Sequence, residues 1–187
     1  MRDSNQPFYM HYESGFEFCR DHVLLNEYIQ NIINPPSSDA ESRYILAHQS
    51  TLLADPGHIY TLRNGGEKPD IFIVQACPRN LKANFYSGSH EADKRVKRIR
   101  GTYSLWETAK AQLEKAGYEA ESVSFEQGGF VIYDARVFFE RQEERTPFYT
   151  FIKSSALRLM LEEDHKHLLG SDKCQVGINE SERLDIP

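Results

Sequence analysis

The middle of the chain alternates short apolar runs with turn signals, and this pattern restricts the fold more than any other feature. Between residues 59 and 152 the runs are rich in Ile, Val, Phe and Tyr, and each is too short for a typical helix. Asn64-Gly65-Gly66 and Gly128-Gly129 mark turns between them. Short strands are expected at 59–62, 71–74, 84–86, 123–125, 130–133, 136–139 and 148–152. This pattern predicts a mainly β fold, either a sandwich or a jelly roll.

Three helical patterns accompany the strands. The first runs from Glu13 to Ile33 and ends at Asn34-Pro35-Pro36; its apolar stripe comprises Phe16, Cys19, Val23, Tyr28, Ile29, Ile32 and Ile33. A second helix is inserted between strands. Ser104 and Glu107 form its capping box, Gly117 ends it, and its inner face comprises Leu105, Trp106, Ala109 and Leu113. The third lies around Ala156, Leu157, Met160, Leu161 and Leu168. The stretch 37–54 fits either a helical turn or a strand.

Length and composition predict one domain that lies in the cytoplasm. The chain has 187 residues, of which 40% are hydrophobic, enough to bury a single core. We expect one jelly-roll domain over residues 1–170, with core strands at about 44–153 and helices at both ends, and a flexible tail at 171–187. A net charge of −6 argues against nucleic acid and anionic membranes as partners. No apolar run of about 20 residues is present, and we expect no secretory signal.

The histidines offer poor metal-ligand spacing. A two-histidine, one-carboxylate iron site needs an acid two residues after a histidine. Ala92 stands in that place after His90, and Ser50 stands there after His48. We therefore expect no metal and no cofactor.

The charges next to the apolar strands are more informative. Asp134, Arg136 and Arg145 each border such a strand, where they could orient a polar ligand at a barrel mouth. A structural Asp–Arg ion pair explains Asp134 and Arg136 equally well. Cys77 ends a buried run and is expected to be an inert packed thiol. The basic run between Lys94 and Arg100 is expected to face solvent.

Two segments resemble the phytanoyl-CoA dioxygenase family. In residues 74–90, a buried strand leads to the ending Gly88-Ser89-His90. In residues 125–139, a glycine turn and an apolar strand lead to Arg136. The resemblance covers roughly residues 44–153, and short fungal proteins with the same segments look similar. It implies a double-stranded β-helix of the cupin-like type.

The resemblance also implies that the iron ligands are lost. The second metal histidine of the family would fall at Phe139, and its His-x-Asp pair would fall at His48-Gln49-Ser50, where the acid is missing. Arg145 could stand where the family's arginine holds 2-oxoglutarate. One of three iron ligands then survives, which is too few for tight iron binding.

From these observations we predict a metal-independent enzyme, an isomerase or cyclase, that acts on a hydrophobic natural-product intermediate. The predicted catalytic residues are His48, His90 and Asp134. The predicted substrate-binding residues are Phe85, Tyr133, Arg136, Phe139, Arg145, Tyr149 and Phe151. Two alternatives are a non-catalytic small-molecule-binding protein and an Fe(II)/2-oxoglutarate oxygenase that draws on His58 and His90. A homodimer is one option for assembly.

Overall fold

The described part of the chain forms two antiparallel sheets with helices on one outer face and a helix on the other. The computed structural model describes residues 12–52, 55–66, 68–91, 96–101, 105–140 and 145–159. The first sheet has four strands in the order β1 (Tyr44–Leu52), β10 (Thr146–Lys153), β3 (Ile71–Cys77) and β8 (Gly129–Asp134). The second has six strands in the order β5 (Ile99–Arg100), β6 (Trp106–Thr108), β2 (Ile59–Thr61), β9 (Phe138–Glu140), β4 (Leu81–Tyr86) and β7 (Ala120–Phe125). The expectation of a mainly β fold is confirmed.

The helices are short. Helix α1 (Glu13–Cys19) continues into a π-helical turn (Arg20–Leu24), and α2 (Glu27–Ile33) follows. A 3-10 turn (Ser89–Glu91) comes after β4, and α3 (Lys110–Lys115) comes after β6. Helical backbone is also present over 154–159.

Three apolar clusters hold these layers together. The first lies between the two sheets: Leu52, Tyr60, Ile73, Ala83, Phe85, Tyr133, Ala135, Phe139 and Phe148. The second lies between the four-stranded sheet and the N-terminal helices: Cys19, Val23, Ile29, Ile33, Val74, Tyr149 and Phe151. The third joins the six-stranded sheet to α3: Ile59, Tyr86, Val96, Leu113 and Phe138. The four-stranded sheet is therefore covered on both faces.

A bulge in β1 decides which of its side chains face the other sheet. Leu46 pairs with Phe151, but His48 pairs with Thr150, so one residue is skipped between them. Because neighbouring residues of a strand point to opposite faces, the bulge reverses the alternation. It places His48 on the same face as Phe148, toward the six-stranded sheet. The sequence pattern of 37–54 fitted either a helical turn or a strand, and the structure shows a strand from residue 44 to residue 52.

The prediction of one continuous N-terminal helix is wrong. The backbone passes through a π-turn, in which Leu25 N donates to Arg20 O at 2.9 Å, and a new helix begins after Asn26. The Asn26 side chain accepts hydrogen bonds from Tyr28 N and Ile29 N, a standard N-cap. This break changes the helical phase. The predicted stripe is accordingly split, and three of its members are exposed: Phe16, Tyr28 and Ile32.

The prediction of the inserted helix is wrong at its start. Trp106 and Glu107 lie in strand β6, and α3 begins only at Lys110, after an N-cap residue that makes no side-chain cap. Pairing of β6 with β2 and β5 outweighs the local capping signal. The end at Gly117 is confirmed, since this glycine has φ +88° and its N–H donates to Glu114 O.

Several expectations fall outside the described residues. They are the tail at 171–187, the C-terminal helix beyond residue 159, the cap residue Ser104, and Lys94 with Arg95 of the basic run.

The turn at Gly128, between β7 and β8, provides a test of its packing against the end of β3. Gly128 has φ +77°, and a Cβ placed there would lie 3.1 Å from the Cys77 carbonyl oxygen. Gly117 has a similar φ, but a Cβ there would meet no atom within 4 Å. We expect Gly117→Ala to cost about 1 kcal/mol from the left-handed backbone alone. Gly128→Ala should cost about 1 kcal/mol more, measured by urea denaturation. Equal losses would contradict the close backbone approach.

Candidate functional site

Four polar side chains meet where β2 begins, and we call them the Tyr60 cluster: Asp55, His58, Tyr60 and Glu107. The Tyr60 hydroxyl donates a hydrogen bond to Asp55 Oδ2 at 2.5 Å. His58 Nδ1 lies 3.1 Å from the same hydroxyl oxygen and 3.4 Å from Glu107 Oε1. Asp55 Oδ2 is 3.8 Å from the imidazole. The cluster thus brings two carboxylates, a phenol and an imidazole within hydrogen-bonding or ion-pairing range.

Strand pairing positions the cluster. Tyr60 pairs with Glu107 of β6 on one side and with Phe139 of β9 on the other. Its side chain is fully buried in the cluster between the sheets. The His58 side chain is half exposed and precedes β2 by one residue. The arrangement therefore connects a buried hydroxyl to an imidazole that solvent or a ligand can reach.

Residues 100 and 101 of the same chain pack closely on this cluster. A Cβ at Gly101 would lie 2.9 Å from Glu107 Oε2 and 3.1 Å from Tyr60 Cε1. The Arg100 guanidinium carbon stands 5.1 Å from the centre of the Trp106 ring, a cation–π distance. A larger residue at 101 would displace the carboxylate or the phenol ring.

A second polar group lies between the sheets. Tyr133 OH donates to Gln75 Oε1 at 3.1 Å, and Gln75 Nε2 donates to Thr146 Oγ1 at 2.9 Å. All three residues are buried. These neutral groups can orient a ligand, but the amide and the threonine hydroxyl do not exchange protons readily near neutral pH.

Three of the predicted lining residues share one place. The rings of Phe85 and Tyr133 are 5.2 Å apart, and those of Tyr133 and Phe139 are 5.7 Å apart, measured between centroids. All three belong to the cluster between the sheets. His48 faces the same side of its sheet, with its ring 6.2 Å from that of Phe148, and it is exposed. The structure therefore brings a row of aromatic rings together, and His48 lies on the edge strand of the same sheet face.

Tyr149 and Phe151 lie on the opposite face of the four-stranded sheet. They contact the N-terminal helices in the second apolar cluster. They do not share a face with Phe85 and Tyr133, because odd-numbered residues of β10 point away from the other sheet. Burial raises the pKa of Tyr149 above its usual range.

Asp134 and Arg136 form a nearly buried ion pair. Arg136 donates from Nε to Asp134 Oδ1 at 2.9 Å and from Nη2 to Oδ2 at 2.6 Å, and its Nη1 donates to the Gly66 carbonyl. Their side chains are 11% and 6% exposed. The Asp134 carboxylate raises the pKa of Arg136 through these hydrogen bonds. Both carboxylate oxygens are thus hydrogen-bonded, as expected of an ion pair with a structural role.

The predicted polar residues do not converge on one point. Asp134 pairs with Phe72, whereas Arg145 lies three residues before Phe148, which pairs with Gln75. At about 3.3 Å per residue, Asp134 and Arg145 are roughly 20 Å apart along the strands. Arg145 is exposed.

The Gly-Ser-His segment has a structural role in the described chain. Ser89 is fully buried, and its hydroxyl accepts a hydrogen bond from Phe138 N at 2.9 Å. Gly88 has φ +74°, which suits the turn after β4. His90 is about one-third exposed, 3.8 Å from Glu91. His90 follows the end of β4, and the Tyr60 cluster lies at the start of β2.

The sequence reasoning missed the Tyr60 cluster as a unit. A turn, Asp55-Pro56-Gly57, followed by His58 and then Tyr60 in a strand is a visible signal for three of its members. Glu107 could not be added, because the capping-box interpretation placed it on a helix.

No protein-family model, curated protein or solved structure matches this chain. Within the described ranges, no group of three or more His, Cys, Asp and Glu side chains is arranged to hold a metal ion. No helix in those ranges is long and apolar enough to cross a membrane.

The ion pair yields a stability prediction. Asp134→Asn leaves the Arg136 charge buried without its carboxylate, so we expect the free energy of unfolding to fall by about 3 kcal/mol. The double variant Asp134→Leu/Arg136→Met removes both charges and should recover most of that loss. Urea denaturation measures both. An unchanged free energy of unfolding in Asp134→Asn would show that the pair has no structural role.

Cys77 yields a pH prediction. Burial raises the pKa of its thiol from 9.0 to about 12. Between these values the unfolded chain loses a proton that the folded chain keeps, so stability contributed by this thiol falls as pH rises from 9 to 12. We expect unfolding free energy to decline less steeply above pH 9 in Cys77→Ala than in the wild type. Parallel curves would contradict a protonated, buried thiol.

Proposed function

We propose that the two sheets form a jelly roll. Apart from β5 and β6, each strand in the first half of the chain pairs with its counterpart in the second half. These pairs are β1 with β10, β2 with β9, β3 with β8 and β4 with β7. Such nested pairing describes one long antiparallel hairpin wound around a common core, as in jelly rolls with their two Greek keys. The same pairing supports the resemblance to cupin-like proteins, which remains part of this proposal.

We further propose that the protein is a metal-independent enzyme of the isomerase or cyclase type. The observation that carries this is the Tyr60 hydroxyl, which lies between the Asp55 carboxylate and the His58 imidazole. His58, which a ligand can reach, can exchange a proton with a substrate, and the buried Tyr60 hydroxyl can supply or accept that proton because it lies between His58 and Asp55. A proton taken from one atom of the substrate and returned to another moves a double bond or closes a ring with no net redox change.

The neighbouring rings favour a hydrophobic substrate. Phe139 pairs directly with Tyr60, and the rings of Phe139, Tyr133 and Phe85 follow one another into the core. A hydrophobic natural-product intermediate placed against this row would present its reacting atoms to the cluster. Holding a flexible chain in one conformation contributes much of the rate in such reactions. A cytoplasmic location belongs to the same proposal.

A non-catalytic small-molecule-binding protein is the second candidate. The buried Tyr133–Gln75–Thr146 group favours it, since neutral hydrogen-bonding groups between two sheets can select a ligand without changing it.

The test is product formation by the purified protein in EDTA, with a set of unsaturated and epoxide-bearing hydrophobic compounds analysed by mass spectrometry. We expect products of unchanged elemental composition. Tyr60→Phe and His58→Gln should lower the rate at least 100-fold, as loss of a general acid or base does. His22→Gln, exposed in the π-helical turn of the N-terminal layer, is the matched control and should keep the rate.

Other outcomes would overturn this proposal. Binding without product in the wild type would favour the binding protein. Stoichiometric iron, with activity that EDTA removes and 2-oxoglutarate requires, would favour the oxygenase. Retained activity in Tyr60→Phe would place the chemistry elsewhere.

A further inference from the structure

The loop between β2 and β3 contains an asparagine followed by a glycine, Asn64-Gly65, a pair that occurs at no other place in the sequence. Asparagine is a thermolabile residue, and it loses its side-chain amide most readily before glycine. The main-chain nitrogen of a following glycine can attack the side-chain carbonyl carbon, because no Cβ obstructs the approach. Both residues lie outside helices and strands, and Asn64 is exposed. Water can therefore reach this amide.

The backbone around Gly65 is free to move toward that amide. Within the described ranges, neither the Asn64 side chain nor the main-chain nitrogen of Gly65 makes a hydrogen bond. The two preceding amides, Leu62 N and Arg63 N, both donate to the Ala135 carbonyl oxygen, at 3.0 and 2.9 Å. A Cβ placed at Gly65 would meet no atom within 4 Å. The chain is thus held just before Asn64, whereas the nitrogen that would react has no such bond.

Asn80 provides a comparison within the same chain. It also lies in a turn, with φ +66°, but the residue that follows it is Leu81. Leu81 N donates to the Pro78 carbonyl oxygen at 3.3 Å, and the Leu81 side chain is buried. The nitrogen next to Asn80 is therefore hydrogen-bonded and shielded by a side chain, so this asparagine should keep its amide.

We propose that Asn64 is a site of spontaneous deamidation in the folded protein. The Gly65 nitrogen loses its proton and bonds to Cγ of Asn64, and the amide nitrogen leaves as ammonia. The product is a five-membered succinimide ring. One water molecule then opens the ring at either carbonyl carbon. Opening at one carbon gives aspartate, and opening at the other gives isoaspartate, in which the main chain passes through the former side chain.

The isoaspartate product would loosen the contact between this loop and the Asp134–Arg136 ion pair. Its main chain contains one more carbon atom, which adds about 1.5 Å to the path between residues 64 and 66. The Gly66 carbonyl oxygen accepts a hydrogen bond from Arg136 Nη1, and a displacement of that size breaks a hydrogen bond. Arg136 is buried, so its guanidinium would retain an N–H without an acceptor. The modification therefore weakens the fold, and this inference is independent of the proposed catalytic function.

Incubation of the full, folded chain in heavy-oxygen water at mildly alkaline pH, followed by peptide mass spectrometry, tests the proposal. We expect the peptide that contains residue 64 to exchange its amide for a labelled carboxylate and to separate into two isomers on chromatography. The conversion should be faster at higher pH, because the attacking nitrogen must lose its proton. Asn80 should remain an amide over the same time. Asn64→Gln is the matched control and should show no conversion, since its longer side chain forms the larger ring slowly.

The effect on the fold is measured by thermal unfolding. We expect the purified isoaspartate form to unfold at a lower temperature than the unmodified chain. Freshly prepared Asn64→Asp adds the charge without the extra main-chain atom, and it should unfold like the wild type.

Two results would overturn the proposal. One is an unmodified Asn64 in the folded chain under conditions in which the urea-unfolded chain converts, since the fold would then hold the Gly65 nitrogen away from the amide. The other is an isoaspartate form as stable as the wild type, which would show that Gly66 keeps its contact with Arg136.

Discussion

The structure depends on a sheet that must be covered on both faces. In β3, five successive residues are buried, and β10 is buried in a similar way on both sides. A strand with apolar residues on both faces is stable only when each face meets another layer. The six-stranded sheet covers one face and the N-terminal helices cover the other. The position of each candidate residue on this sheet follows from which of these two layers it meets.

This constraint separates the residues that sequence reasoning had grouped. Tyr133 and Phe148 point to the second sheet, whereas Tyr149 and Phe151, next to Phe148 in the chain, point to the helices. The two halves of the aromatic set thus serve different layers. The first belongs to the region that contains the Tyr60 cluster, and the second attaches the helices.

The strands were the predictable part of the fold, since runs such as Ile71–Val74 and Phe130–Tyr133 are dense in residues that favour sheets. Features set by distant pairing were not predictable. Trp106 and Glu107 lie in a segment with a good capping signal, but their backbone is extended because they pair with β2. His48 lies on the sheet face toward the six-stranded sheet only because of a bulge, which no local sequence pattern predicts. The Tyr60 cluster was partly visible, and its fourth member required the pairing of β6 with β2.

The nested strand pairing has a consequence for how the protein forms during synthesis. β1 pairs with β10, so Tyr44 can pair with Lys153 only after more than a hundred further residues have been made. The four-stranded sheet cannot be completed before then. Among the nested pairs, β4 with β7 joins the strands that are nearest in the chain. Contacts of such long sequence separation slow folding, and until β10 leaves the ribosome the edges of β1 and β3 that pair with it have no hydrogen-bonding partner. The growing chain therefore spends most of its synthesis in a form that chaperones would recognise.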